Sequence, residues 1–205
     1  MKKFIGAAAL AASLASPALA DGHGVKIGVF LGFTGPIESI VANMGPAAEM
    51  AINEVSESGA LLGGKKVTAV RGDTTCVDAA AATATAERLI TTDGIAAMVG
   101  GDCSGVTGAT LQNVARPNGI VMISPSATSP ALSTAEDDGL FFRTAPSDAR
   151  QGQIVADILK EKGVSSIALT YTNNDYGKGL ADAIQANFEA AGGDVTISAA
   201  HEDGK

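Results

Sequence analysis

Two stretches of the chain are rich in hydroxyls and small residues where a strand gives way to a corner. The first is Met98-Val99-Gly100-Gly101-Asp102-Cys103-Ser104-Gly105, the second Met122-Ile123-Ser124-Pro125-Ser126-Ala127-Thr128. Each follows a short β-rich apolar run, 95–99 and 119–123, and the first leads into a helical segment beginning near Ser104. In an open α/β sheet, ligands bind outside the carboxyl ends of the strands. Hydroxyls and free backbone N–H groups gathered there make an anion site. The two corners are expected to hold the carboxylate of a small amphipathic molecule.

Catalysis finds little support in the same residues. A serine hydrolase needs a base, and the only histidines are His23 and His201, near the two ends of the chain. Cys103-Ser104-Gly105 departs from the G-x-S-x-G pattern. No H-E-x-x-H, phosphate loop or dinucleotide fingerprint occurs. An enzyme is therefore not expected, nor a metal or a cofactor. Ser104 has an alternative reading as a helix N-cap, and Thr128 as an ordinary turn hydroxyl. Asp102 reads as a solvated loop acid.

The elements that must position these corners can be read from periodicity. Residues 25–32 (VKIGVFLG) form a nearly continuous apolar run, as in a buried parallel strand. The next helix is expected to start at Pro46, a good first-turn residue, with Ala48, Ala51, Ile52 and Val55 on its inner face. Residues 66–70 read as the second strand. Asp78 is placed as the N-cap of a helix reaching about Thr92, with Ala82, Ala86, Leu89 and Ile90 inward. A third helix should cover about 104–115 and break at Arg116-Pro117-Asn118-Gly119. Strands at 120–123 and 140–143 flank a polar loop. A helix near Asp148 should bury Ile154, Val155, Ile158 and Leu159, followed by a strand at 166–171 and a loop at 173–177. A helix bearing Leu180, Ile184 and Phe188 and a strand at 194–199 complete the pattern. Strands alternating with helices imply parallel α/β sheets with right-handed crossovers. One run is complete at about 25–143, and a second begins at about 146.

Met1-Lys2-Lys3, the apolar residues 4–14 and the small-residue site Ala18-Leu19-Ala20 read as a secretory signal peptide cleaved before Asp21. A membrane anchor is the alternative, but the apolar run is short for a bilayer. The chain has 205 residues, a net charge of −8, two Tyr and no Trp, which argues against nucleic acid as a partner. An even pair of cysteines, Cys76 and Cys103, points to a disulfide in a secreted chain. Two free buried thiols are the alternative. Without nearby histidines they do not complete a zinc shell.

The order of Ile27-Gly28, Gly35-Pro36, Asp73 to Cys76, Cys103-Ser104, Ser124-Pro125-Ser126-Ala127-Thr128, Phe142-Arg143-Thr144 and Asp175-Tyr176-Gly177-Lys178-Gly179 resembles the periplasmic branched-chain amino-acid-binding proteins of ABC importers. The resemblance covers essentially the whole mature chain. It implies the type I periplasmic binding fold: two doubly wound parallel-sheet lobes joined by a hinge, with the ligand between them. On that basis, residues 1–20 are the signal peptide, 21–145 the first lobe and 146–205 the opening of a second. Full-length members are longer, so the chain is expected to hold only part of that second lobe.

By position, the resemblance gives Ser104 to the ligand carboxylate and Thr128 to carboxylate and ammonium. Ser126 matches a residue that uses backbone groups, often Ala. Asp148 would face the ammonium, with the start of its helix as an alternative role. Tyr176 would close over the ligand backbone, with packing in its loop as the alternative. Cys76 and Cys103 match the family's disulfide. Relatives that bind leucine often carry an aromatic residue after Gly35-Pro36, whereas 37–41 (IESIV) offers none apart from the earlier Phe33. The resemblance implies a periplasmic monomer that captures an amino acid and delivers it to a membrane permease. The alternative is a sensor of the same fold that binds an amide or small carboxylate.

Overall fold

The computed structural model describes residues 24–61 and 63–202. The expected signal peptide lies outside them. Five strands, β1 (Val25–Leu31), β2 (Val67–Asp73), β3 (Ala97–Gly100), β4 (Val121–Ser124) and β5 (Phe141–Arg143), form one parallel sheet in the order β2-β1-β3-β4-β5. The chain leaves β1 for β2 on one side and returns to place β3 on the other. The crevice at the carboxyl ends of β1 and β3 is thus a topological switch point, where such sheets bind ligands. A second parallel pair, β6 (Ser166–Thr172) and β7 (Asp194–His201), forms its own sheet.

Alternation along β1 divides the core in two. Val29 and Leu31 pack with Val41, Ile52 and Val67 beneath helix α1 (Glu38–Ser58). Phe30 faces the other way, into a larger cluster with Leu89 of α2 (Ala79–Thr91) and Val106 of α3 (Ser104–Thr110). Burying one such side chain stabilises by roughly 1.5–3 kcal/mol, so the two-sided strand anchors both layers. Gly100 has φ +137°, and a Cβ there would lie 1.9 Å from the Phe30 carbonyl oxygen. Only glycine permits this approach of β3 to β1.

α1 begins at Glu38, eight residues before the expected Pro46 start, and Pro46 lies inside the helix. Val41, Gly45, Ala48 and Ile52 make the inward face, while Ala51 and Val55 point out. A proline inside a helix costs about 3 kcal/mol. Pro46 is on the exposed side, where water can satisfy the freed carbonyl, and burial of Val41 beneath the helix offsets the loss. Gly45 lets Phe33 press against the helix, since a Cβ there would sit 2.6 Å from the ring.

The third helix also outruns its expected break. α3 continues as a π-helical turn, Leu111–Ala115, and a last turn, α4 (Arg116–Asn118), before Gly119 ends it at φ 65°. Pro117 is tolerated near this end because it is exposed. A short 3₁₀ turn, Pro130–Ser133, sits within the expected polar loop.

Helix α5 (Asp148–Glu161) is capped by Ser147, whose hydroxyl accepts from the Ala149 N–H at 3.2 Å. It buries Asp148, Gly152 and Ala156. Val155 and Leu159 are half-buried as expected, but Ile154 and Ile158 are exposed, because Gly152 packs directly on Ala183 and turns them outward. Helix α6 (Asp175–Ala190) starts inside the expected loop, since Asn174 caps it by accepting from Gly177 N–H at 2.8 Å.

Candidate functional site

Ser104 stands in the first turn of α3, with Cys103 in the N-cap position and offering no side-chain cap. Ser104 Oγ accepts from the Ser129 N–H at 3.1 Å, which ties the first corner to the second. Its own proton has no acceptor among the described residues and remains available to an anion. The second corner is braced from within. Ser124 Oγ donates to the Gly101 carbonyl and accepts from the Ala127 N–H, and Ser126 Oγ donates to the Asp102 carbonyl at 2.9 Å.

Thr128 and Asp148 are joined twice. Thr128 Oγ1 donates to Asp148 Oδ2 at 2.7 Å, and the Asp148 N–H donates to the Thr128 carbonyl at 2.9 Å. Asp148 is only 2% exposed and, among the described residues, has no cation beside it. A carboxylate in the first turn of a helix is favoured by the helix dipole, yet burial without a cation is costly.

Ser104, Ser126, Thr128, Asp148 and Tyr176 all line one cleft of about 1140 Å³. Tyr176 is 46% exposed in the first turn of α6, across the cleft from the start of α3. The two helix starts are close: a Cβ on Gly105 would lie 3.6 Å from Asp175 Oδ2. Asp102, Asp148, Asp175 and Glu202 contribute acids to the lining, and among the described residues no Lys, Arg or His joins them.

Asp102 is not a solvated loop acid. It is 3% exposed and accepts from the Gly32 N–H, from Thr74 Oγ1 at 3.0 Å and from the Cys103 N–H at 3.0 Å. One carboxylate therefore joins the carboxyl ends of β1, β2 and β3. Sequence reasoning also missed the apolar wall made by Pro36, Ile37, Ile40 and Met44. The signal was present, since Ile37, Ile40 and Met44 have helical spacing, but it depends on α1 starting before Pro46. Phe33 does not line the cleft; its ring packs on Gly45 and under Arg71, whose guanidinium carbon is 4.7 Å from the ring centroid.

Cys76 and Cys103 are bonded, with Cα atoms 5.3 Å apart. The disulfide links the corner after β2 to the start of α3. Thr75 and Cys76 both have positive φ, 56° and 67°, a strained conformation for side chains with a Cβ. Asp73 holds them there by accepting from the Thr75 N–H at 2.9 Å and from the Thr34 hydroxyl. Burial pushes the Asp73 carboxyl up, but the Thr34 hydroxyl and the N–H groups of Thr75 and Thr34 outweigh it and hold the group below the usual carboxylate range.

The family described as the receptor family ligand binding region matches residues 43–204. The chain belongs to that family. Within it, the chain is 33% identical over 193 residues to the Leu/Ile/Val-binding protein homolog 3 of Brucella melitensis, covering 93% of this chain and 50% of the relative. It is 34% identical over 192 residues to the Leu/Ile/Val/Thr-binding protein of Salmonella typhimurium, covering 93% and 51%. The chain spans about half the length of the curated relatives it matches. Among solved structures, it is similar to the branched-chain amino acid substrate-binding protein LivJ of Streptococcus pneumoniae in complex with isoleucine. That match has a TM-score of 0.76 and 27% identity over 89% of this chain and 51% of LivJ. A solute-binding protein from R. palustris in complex with 4-hydroxybenzoate matches with a TM-score of 0.75 and 22% identity, over 89% and 48%, a likeness of fold alone. These neighbours are type I periplasmic binding proteins, and the parallel α/β architecture of this chain is theirs.

Proposed function

We propose that this receptor-family chain belongs to a periplasmic solute-binding protein that captures an aliphatic α-amino acid and delivers it to an ABC transporter permease. The observation that carries the reading is the pairing in one cleft of a hydroxyl donor, Ser104, with a buried carboxylate that lacks a cation, Asp148. A zwitterion matches both ends: its carboxylate takes hydroxyl and N–H donors, and its ammonium takes Asp148. Thr128 Oγ1 gives its proton to Asp148, so Thr128 would serve the carboxylate through its backbone N–H and the ammonium through the oriented Asp148. Ser126 would contribute its carbonyl, and Tyr176 would close over the ligand backbone. Ile37, Ile40 and Met44 offer an apolar wall for the side chain. The names of the curated relatives favour leucine, isoleucine or valine.

In this reading, residues up to 145 form the first lobe and residues from 146 belong to a second. Ligand contacts to both lobes would drive closure by a hinge, with the chain passing between lobes near 143–148. The function is that of a monomeric binding module in the periplasm rather than an enzyme. A bare carboxylate ligand would leave Asp148 without its cation and place an anion among the acids of the lining. A thermal-shift screen of the full-length protein against amino acids, amides and small carboxylates tests the proposal, because ligand binding raises apparent stability. Branched-chain amino acids should give the largest shifts. Shifts from amides or benzoates alone would overturn it.

A further inference from the structure

Arg143 ends β5, is half-buried and sits behind the second corner, outside the cleft lining. Its Nη1 donates to the Ser129 carbonyl at 2.9 Å and to the Ala127 carbonyl at 3.3 Å, and its Nη2 donates to Ser133 Oγ. Among the described residues Arg143 makes no ion pair. A guanidinium stays charged at any relevant pH, so a full positive charge is directed at the two carbonyls that flank Thr128. The neighbouring Thr144 adds two more ties to the corner: its N–H donates to the Ser124 carbonyl at 3.0 Å and its hydroxyl to the Pro125 carbonyl at 3.4 Å.

The Ala127 carbonyl and the Thr128 N–H belong to one peptide unit. In a trans peptide the two point in opposite directions. A donor on the carbonyl therefore turns the N–H away from Arg143 and polarises it, as bonds in a chain strengthen one another. The Thr128 N–H has no acceptor among the described residues. We propose that Arg143 is a positioning residue: it fixes and polarises the Ala127–Thr128 peptide so that the Thr128 N–H faces the cleft as a strengthened donor to the ligand carboxylate. The carboxylate part rests on the amino-acid reading above; the orientation of the peptide does not.

Calorimetry on the full-length protein with leucine and with leucinamide tests the carboxylate part. Both ligands carry an ammonium, but leucinamide has no carboxylate. In Arg143→Ala, leucine should weaken on the order of tenfold or more while leucinamide changes little, so the preference for leucine collapses. Arg143→Lys, which keeps the charge without the planar fork, should recover part of that preference. An equal fall for both ligands would mean a merely structural role and would overturn the proposal, as would an unchanged preference. The peptide claim is read separately from the Thr128 amide resonance. It should move in Arg143→Ala while the Tyr176 amide stays in place, and a Thr128 resonance that does not move would overturn it. If the wild-type protein bound neither ligand, the functional reading would fail while the amide readout still decided the peptide claim. Should Arg143→Ala not fold, Arg143→Lys carries both measurements.

Discussion

Under the proposed function, Ser104 and Asp148 would do opposite chemical work at opposite ends of the ligand. Ser104 Oγ receives a backbone N–H and keeps its own proton free. Its removal in Ser104→Ala should weaken leucine binding by about 1.5–3 kcal/mol, the size of a hydrogen bond to a charge, as read by calorimetry. Asp148 is buried, with the Thr128 hydroxyl as the one side-chain partner of its carboxyl group among the described residues. Neutralising it removes the cost of burying a carboxylate without a cation, so Asp148→Asn should leave the melting temperature unchanged or raised while leucine affinity drops. Such a trade between stability and function is common at binding sites. A melting temperature that fell with unchanged affinity would mark Asp148 as a structural residue. Ser104 could be placed in the cleft from its corner alone, whereas Asp148 was placed there only by the resemblance, with a role at the start of its helix as the alternative; both line the cleft. Asp102 was not legible in either way. Its burial depends on Gly32 and Thr74, which approach from far along the chain, and nothing adjacent to Asp102 announces them.

At the scale of elements, the corner after β2 is the most constrained piece of the site. Asp73, the disulfide and the Thr74 hydroxyl all hold Thr75 and Cys76 in the left-handed region. Since the Asp73 carboxyl is depressed in the folded chain, its contribution is present above the unfolded carboxylate pKa. It is lost as pH falls through the lower folded value. Melts from neutral to strongly acid pH should show wild type and Asp73→Asn separated at neutral pH and converging below about pH 4. Curves that stay parallel would contradict the linkage. Reducing the disulfide, whose cysteines are 27 residues apart, should cost about 3–4 kcal/mol in the chain-entropy model, measured by denaturant unfolding with and without reductant. Most elements could be read in advance, such as α2 with Asp78 as its cap, accepting from Ala80 and Ala81 N–H. The start of α1 could not, because Ile37 offers no capping side chain and Pro46 imitates a first-turn residue. The tertiary contact of Val41 and Gly45 with the sheet and Phe33 decided it instead.

For the whole molecule, the switch point between β1 and β3 sets where a ligand can sit, and the alternation of strands and helices already implied that architecture. Charge settles what kind of ligand it is proposed to be. The described cleft lining carries four acids and no base, which suits a ligand that brings its own cation. Solution scattering of the full-length protein should show a smaller radius of gyration with leucine than without, as expected for closure about a hinge, and an unchanged radius would contradict a closing cleft. The central claim is that the cleft reads both charged ends of an amino acid. Calorimetry of the full-length protein against leucine, its 2-oxo acid and its amide examines this most directly. Leucine should bind at least about tenfold more tightly than either analogue, since each lacks one charge-assisted set of bonds. A 2-oxo acid that bound as tightly as leucine would contradict the account.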